Sequence, residues 1–367
     1  MYVKNLYVNN FRNILNCNIE LSKNVNVFIG DNAQGKTSLL ESIYITSIGK
    51  SFRTTTDKEL INFNSDYAFV SSEILDTNAF DKIDFAIDVT GKKRIAINKC
   101  PIKKNGDLLG NLYTVTFTPM DLNLIKLGPS ERRSFMNIEL CQLSSVYLNN
   151  LKQYNQVLKQ RNNLLKKIQK DSSLENELFI WDKQLVDFGI KIYKSRVEFI
   201  EKINVFSKLL HNKITNNEEI LEMKYKSNIN INDFEDKLAS YHKKDIITGT
   251  TNLGIHKDDI VFLINDRDVR IFGSQGQQRS ASLSVKLAEI NLIKDLKNKT
   301  PILLLDDVLS ELDKKRQSFL IQEIDDMQII LTCTGVEDFI RCFKNKENLK
   351  IFKVDKGCIT EEKYNLI

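Results

Sequence analysis

Residues 30–37 read GDNAQGKT, and the chain on either side of them narrows what they can be. Val25, Val27, Phe28 and Ile29 make a short β-type run that stops at Gly30. Leu39, Leu40, Ile43, Tyr44 and Ile48 then recur at helical spacing. Strand, glycine loop, helix is the order of a phosphate-binding unit, and the eight residues fit G-x-x-x-x-G-K-[ST]. Gly30 and Gly35 allow the backbone to curl through Asp31, Asn32, Ala33 and Gln34 so that successive N–H groups point inward. Lys36 supplies a point charge to β- and γ-phosphates, and the Thr37 hydroxyl is placed for Mg²⁺. Ser38 continues a helix start whose dipole adds to the field.

A phosphate loop needs a carboxylate for the metal on a neighbouring strand. PILLLDD at 301–307 has a buried-strand pattern and ends in two acids. Asp306 is predicted to hold Mg²⁺, and Asp307 to orient or deprotonate an attacking water. No NKxD motif stands at a strand end, so ATP is expected rather than GTP. A second helix start, GSQGQQRS at 273–280, precedes the helical stretch ASLSVKLAEINLI. Its unpaired N–H groups also suit an anion, so the chain carries two such starts far apart in sequence.

Between these motifs the pattern changes. The first 35 residues read as two strands and a loop. Ile83, Phe85, Ile87 and Val89 alternate, TGKK turns the chain, and Ile95 and Ile97 alternate again, predicting a hairpin. A second hairpin is predicted from Ile260, Phe262 and Ile264 through Asn265-Asp266 to Val269 and Ile271. Leu143 to Ile168 steps by threes and fours, with Arg161 interrupting, and Leu178 to Leu210 repeats the pattern after the polar DSSLEN segment. Two amphipathic helices joined by a polar turn make an αα-hairpin, each helix about 40–50 Å long at 1.5 Å per residue. β/α character returns after 245. The predicted fold is therefore α/β, with residues 1–118 plus 246–367 forming one split domain and 119–245 an inserted helical domain.

The 367 residues allow one large or two modest domains. MYVKNLYVNNF has no apolar h-region, and the longest apolar runs are of the ILLL kind. A cytoplasmic protein without membrane contact is expected. The six cysteines form no CxxC pair, which predicts reduced, mostly buried thiols. The net charge of +5 is compatible with nucleic acid without identifying it. Lys92, Lys93, Arg94, Lys99, Lys103 and Lys104 cluster at a hairpin and its exit, and are the candidate contacts to a DNA backbone. No base-reading motif accompanies them, so shape or junction recognition is expected over sequence specificity. Arg132 and Arg133 read equally as exposed helix charge or as function, and the lone His256 reads first as a structural hydrogen-bonder.

GSQGQ at 273–277 aligns with the LSGGQ signature of ABC-type ATPases through Ser274, Gly276 and Gln277, while Gly273 and Gln275 depart from it. SELD at 310–313 looks like their D-loop. Longer stretches are more specific: NNFRN at 9–13, GDNAQGKTSLLESIY at 30–44, GKSFRT at 49–54, PMDLNLIKLGPSERRSFM at 119–136, GIHKDD at 254–259, and LLLDDVLSELDKKRQSFL at 303–320. In these the chain resembles the RecF family over essentially its whole length. The resemblance implies an ABC-type head related to the SMC proteins, with a short helical domain in place of their long coiled coil. It implies ATP-driven homodimerisation, with the Ser274, Gly276 and Gln277 end of one copy closing on ATP held by another. It places Arg12 near the nucleotide and Arg53 near phosphate or DNA. It further implies binding to duplex, gapped and junction DNA at the nucleoid, work with RecR and RecO in placing recombinase, and a part in the SOS response. Some positions depart from the family: Pro119-Met120-Asp121 replaces Pro-Glu-Asp, and Asn137 stands where Asp often follows R-R-x-F. Thr332 and Thr334 stand where transporter ATPases have a histidine, which fits slow hydrolysis serving as a switch. Two alternatives follow from the same motifs: a transporter ATPase subunit, and a structural DNA clamp that binds ATP without turnover.

Overall fold

The computed structural model describes residues 1–76, 79–121, 124–324, 326–335 and 348–362. The chain divides into two compact units, Met1–Leu122 with Lys286–Ile367, and Asn123–Val285. The return to the first unit thus falls at 285/286, later than the 245/246 that the change of pattern suggested.

The first unit begins with three strands rather than two and a loop: β1 (Tyr2–Phe11), β2 (Ile14–Glu20) and β3 (Val25–Ile29). The phosphate loop follows, then α1 (Lys36–Ile48). Next come β4 (Tyr67–Asp76), β5 (Ala79–Asp88), β6 (Lys93–Ile97), β7 (Cys100–Pro101) and β8 (Thr114–Phe117). An antiparallel sheet runs β2-β1-β4-β5-β6-β7. The predicted hairpin at 83–97 is its β5–β6 pair, with Ile83 opposite Ile97 and Phe85 opposite Ile95.

In the second unit, α2 (Pro129–Leu143) precedes the αα-hairpin of α3 (Ser145–Ile168) and α4 (Leu178–Ile214). The two helices are unequal, 24 and 37 residues, or about 36 and 56 Å. β9 (Leu221–Lys226), α5 (Phe234–Ser240), α6 (His242–Thr248), β10 (Asp259–Ile264) and β11 (Arg267–Asp268) follow. β10 pairs with β9 as well as β11, which keeps these strands in this unit. Asn265 and Asp266 take the positive φ of a tight hairpin turn. The returning strand lasts only two residues, because Val269–Phe272 forms a helical turn, α7, where alternation predicted a strand.

α8 (Gln275–Lys297) leads into β12 (Ile302–Asp306), α9 (Lys314–Glu323), β13 (Ile329–Cys333), β14 (Leu349–Asp355) and β15 (Cys358–Glu362). The second sheet of the first unit runs β15-β14-β3-β13-β12-β8 and is parallel apart from β15. One core joins α1 to both sheets of that unit, from Val3 and Phe85 on one side to Phe28 and Leu304 on the other. A helix covered all round needs small polar side chains that serve themselves. Ser42, Thr46 and Ser47 donate to the carbonyls of Leu39, Ile43 and Tyr44.

The cysteines are less buried than expected. Cys17 is buried, Cys141 and Cys333 are half-buried, and Cys100 and Cys358 are exposed. Cys342 lies outside the described residues. No described helix is long and apolar enough to cross a membrane.

Candidate nucleotide site

The phosphate loop leaves the edge of β3 with its geometry imposed by close neighbours. Gly35 has φ 115°, and a Cβ there would come within 3.0 Å of the Asn13 side chain. A Cβ on Gly30 would lie 2.2 Å from the Val354 carbonyl oxygen of β14. Ala33 also takes a left-handed φ of 65°. Gln34 is engaged by the β14–β15 turn. Its side-chain oxygen accepts from Lys356 N at 2.6 Å and its carbonyl from Gly357 N at 2.9 Å, which pins the loop to the β14–β15 turn. Gln34 thus buttresses the loop.

Lys36 is buried, and its Nζ donates to the carbonyls of Gly30 at 2.6 Å and Asp31 at 3.2 Å. Asp307 Oδ2 lies 4.0 Å away. The Thr37 hydroxyl donates to Asp306 Oδ1 at 2.8 Å, so the two predicted metal residues meet. They do so across an intervening strand: β13 lies between β3 and β12, with Thr332 level with Asp306. Thr332 Oγ1 donates to Asp306 Oδ1 at 3.0 Å and accepts from Asp307 N at 2.9 Å. A threonine can join both backbone and carboxylate here. Burial lifts the Asp306 carboxyl above the usual carboxylate range, aided by the Asp307 charge and opposed by the Thr37 and Thr332 hydrogen bonds. Asp307 takes a left-handed φ of 51° at the end of the strand.

A cavity of about 460 Å³ opens beside them, lined by Asn32, Ala33, Gly35, Lys36, Thr37 and Ser38 from the loop and by Asp307. Arg12, Arg53 and Phe63 line it from the antiparallel sheet and the loops beside it. Arg12 is held by a residue that periodicity did not single out. Glu41, fully buried on α1, accepts from Arg12 Nε at 3.0 Å and Nη2 at 2.9 Å. Arg53 Nη1 reaches the same carboxylate at 3.5 Å, and Ser51 Oγ also donates to it. Phe63 is fully exposed at the cavity, a position that neither motif nor alternation marks. A buried carboxylate beside a threonine hydroxyl, with a lysine and two arginines around one cavity, fits a magnesium-bound nucleotide triphosphate. Thr37 and Asp306 are the residues that would hold the metal.

The second unit contains the other helix start. Ser274 N donates to Gln277 Oε1 at 2.9 Å and Gln277 N to Ser274 Oγ at 3.2 Å, a capping box that opens α8 beside Gly276. In the same unit several motif residues have structural partners. Arg132 is buried and bidentate to Asp259 at 2.6 and 2.8 Å, while Arg133 donates to the Asp258 carbonyl at 2.8 Å. Asn137 accepts from Tyr147 Oη at 2.6 Å and Arg196 Nη2 at 3.0 Å, so the amide oxygen suffices there. His256 lies between Tyr154 Oη at 2.8 Å and the Thr251 carbonyl at 3.0 Å, and burial holds its imidazole down to about 4. Of the predicted basic cluster, Lys92, Arg94, Lys99, Lys103 and Lys104 are exposed. Lys93 turns inward to Asp57 at 2.6 Å and the Gly49 carbonyl at 3.1 Å.

The split parallel sheet, the Lys36 loop, the Asp306-Asp307 strand end and the capped Ser274 helix start together define an ABC-type ATPase head of the SMC kind. Residues 2–360 match the family described as RecF/RecN/SMC N terminal domain. "DNA replication and repair protein RecF" of Lachnospira eligens is 48% identical over 99% of this chain and 100% of its own length. The protein of that name from Lachnoclostridium phytofermentans is 45% identical over 98% and 99%. The solved structure of the recombination mediator protein RecF-ATPrS in the RecFOR pathway superposes with a TM-score of 0.91 at 34% identity, covering 98% of each chain. An SMC head domain of Pyrococcus furiosus shares the fold at a TM-score of 0.55 and 14% identity, with 98% and 96% covered. The chain belongs to the RecF family.

Proposed function

We propose that this chain is an ATP-dependent DNA-binding protein of replication and recombinational repair. The observation that carries the reading is the meeting of Lys36, Thr37 and Asp307 at one cavity, with Asp306 hydrogen-bonded to Thr37, in a chain of a family whose relatives bear replication and repair names. A relative's structure titled RecF-ATP, with a TM-score of 0.91, supports ATP as the ligand. In this reading the unit that carries the phosphate loop is the ATPase part. Mg²⁺ would be held by Thr37 and Asp306, and would offset charge on the phosphates. Lys36 exchanges its carbonyl contacts for phosphate oxygens, Arg12 and Arg53 supply positive field, and Phe63 offers a stacking face to the base. Asp307 orients the attacking water.

The Ser274 helix start then acts in trans, closing on ATP held by a second copy. The contacts at Ser274 and Gly276 would each contribute about 1–3 kcal/mol, and two symmetric sites make dimerisation depend on ATP. The dimer binds duplex, gapped and junction DNA in the cytoplasm, at the nucleoid. It works with RecR and RecO to place recombinase, contributes to SOS induction, and uses slow hydrolysis as the release switch. Ser274→Arg tests this: the variant is expected to bind ATP as a monomer but to form no ATP-dependent dimers in sedimentation. Wild-type binding to gapped DNA should strengthen with ATP. A surviving Ser274→Arg dimer, or DNA binding indifferent to ATP, would remove the reading.

A further inference from the structure

The capping box of α8 has an unusual third partner. In an S-x-x-Q cap the glutamine needs only its oxygen, and its amide nitrogen is free to face water. Here Gln277 Nε2 donates to Glu219 Oε1 at 2.9 Å. Glu219 Oε2 in turn lies 3.1 Å from Nε2 of His211, which is fully buried in the last turn of α4. His211 Nδ1 lies 3.3 Å from Ser284 Oγ, two turns into α8. A carboxylate only accepts, so Glu219 fixes which end of the Gln277 amide faces the cap and requires a proton on His211 Nε2. The amide cannot flip without losing both the bond to Ser274 N and the bond to Glu219. The result is one connected set from the base of the αα-hairpin to the first turn of α8.

We propose that Glu219, seated by His211, is the positioning residue for the Ser274 helix start, and sets the face it presents to a second copy of this chain. The proposal rests on the trans reading of Ser274 given above. It differs from that reading in placing control of the face outside the GSQGQ motif, in the connection between α4 and β9.

Glu219→Ala removes the anchor without touching the nucleotide cavity. ATP binding to the monomer is expected to be unchanged, and ATP-dependent dimerisation to weaken about tenfold or more, the loss of one charge-assisted hydrogen bond. Gln277→Glu sets two carboxylates against each other and should also abolish the dimer. Adding Glu219→Gln to it restores a donor and an acceptor in reversed order, with the capping oxygen kept, and should bring dimerisation back to within about threefold of wild type. A general loss of stability would not be repaired by that exchange. Wild-type-like dimers from Glu219→Ala, or no recovery in the double variant, would overturn the proposal. Amide hydrogen exchange of residues 274–278 in the nucleotide-free protein separates the two readings. It should quicken about tenfold in Glu219→Ala even if dimerisation proves independent of Ser274, and unchanged exchange would overturn the positioning role by itself.

Discussion

Asp306 shows how a residue of the candidate site can weigh against the stability of the fold. Its carboxyl is buried and titrates above the ordinary aspartate range. The folded chain therefore binds that proton at a higher pH than the unfolded chain does. From this group, the nucleotide-free protein is least stable at neutral pH and gains stability as pH falls through the raised folded value. An asparagine in its place would still present Oδ1 to the Thr37 and Thr332 hydroxyls, the two bonds the structure shows. Asp306→Asn is thus expected to melt at the same or a higher temperature than wild type at pH 7, with the difference shrinking as the pH is lowered. Mg²⁺-dependent ATP hydrolysis should fall by at least about 100-fold. A clearly lower melting temperature at pH 7 would contradict the account. That Lys36, Thr37 and Asp306 belong to one candidate site was legible in the sequence because loop and strand motifs have fixed internal spacing. Glu41 was not, although it receives both Arg12 and Arg53. Its partners come from separate loops, and in sequence it is merely one polar residue on a helix that periodicity scores for its leucines.

At the scale of the element, the αα-hairpin is tied by a charge set that looked like a fault in its pattern. Arg161 breaks the apolar repeat of α3, and it is completely buried. Its Nε donates to Asp182 on α4 at 2.6 Å, and its Nη1 to Asp245 on α6 and to the Thr251 hydroxyl, both at 2.8 Å. His242 completes the group with a 2.5 Å contact to the other oxygen of Asp182. One side chain thus joins three helices and the segment after them. Its partners lie 21, 84 and 90 residues away, distances at which no periodicity speaks. Arg161→Met conserves length but leaves the buried Asp182 and Asp245 carboxylates without their shared cation, which costs about 3–5 kcal/mol. In a unit of this size that corresponds to roughly a 6–20 °C fall in melting temperature, measurable by calorimetry. ATP affinity should stay as in wild type, because Arg161 belongs to the unit that lacks the phosphate loop. A variant that melts like wild type would mean the ionic set contributes specificity rather than stability. The same long-range logic explains the domain boundary. β10 has hairpin character by itself, but its register with β9, Asp259 opposite Lys226 through Ile264 opposite Leu221, assigns it to the second unit.

For the whole molecule, a surface patch and the net charge of +5 predict different responses of DNA binding to salt. Lys92, Arg94, Lys99, Lys103 and Lys104 are exposed around β6 and the exit from β7. The Arg94 contact to Asp88 at 3.9 Å is a surface pair with little energy to surrender. Lys93, by contrast, is committed to Asp57 and Gly49, so the sequence cluster overstates the patch by one. Replacing four of them, Lys92, Arg94, Lys103 and Lys104, by alanine should lower the slope of log affinity against log salt by about 0.9 for each phosphate no longer neutralised, up to about 3.6. Lys93→Ala should leave that slope alone and reduce thermal stability instead. The decisive control removes the same charge elsewhere: Lys152, Lys159, Lys191 and Lys208 are exposed on α3 and α4. Their fourfold alanine variant changes net charge equally. If it slows association at low salt but keeps the wild-type slope, while the β6 variant loses slope, then the β6 surface meets the DNA backbone and the remaining charge only steers. Equal losses in both variants would mean that no patch exists, and that the DNA path must be sought on other residues.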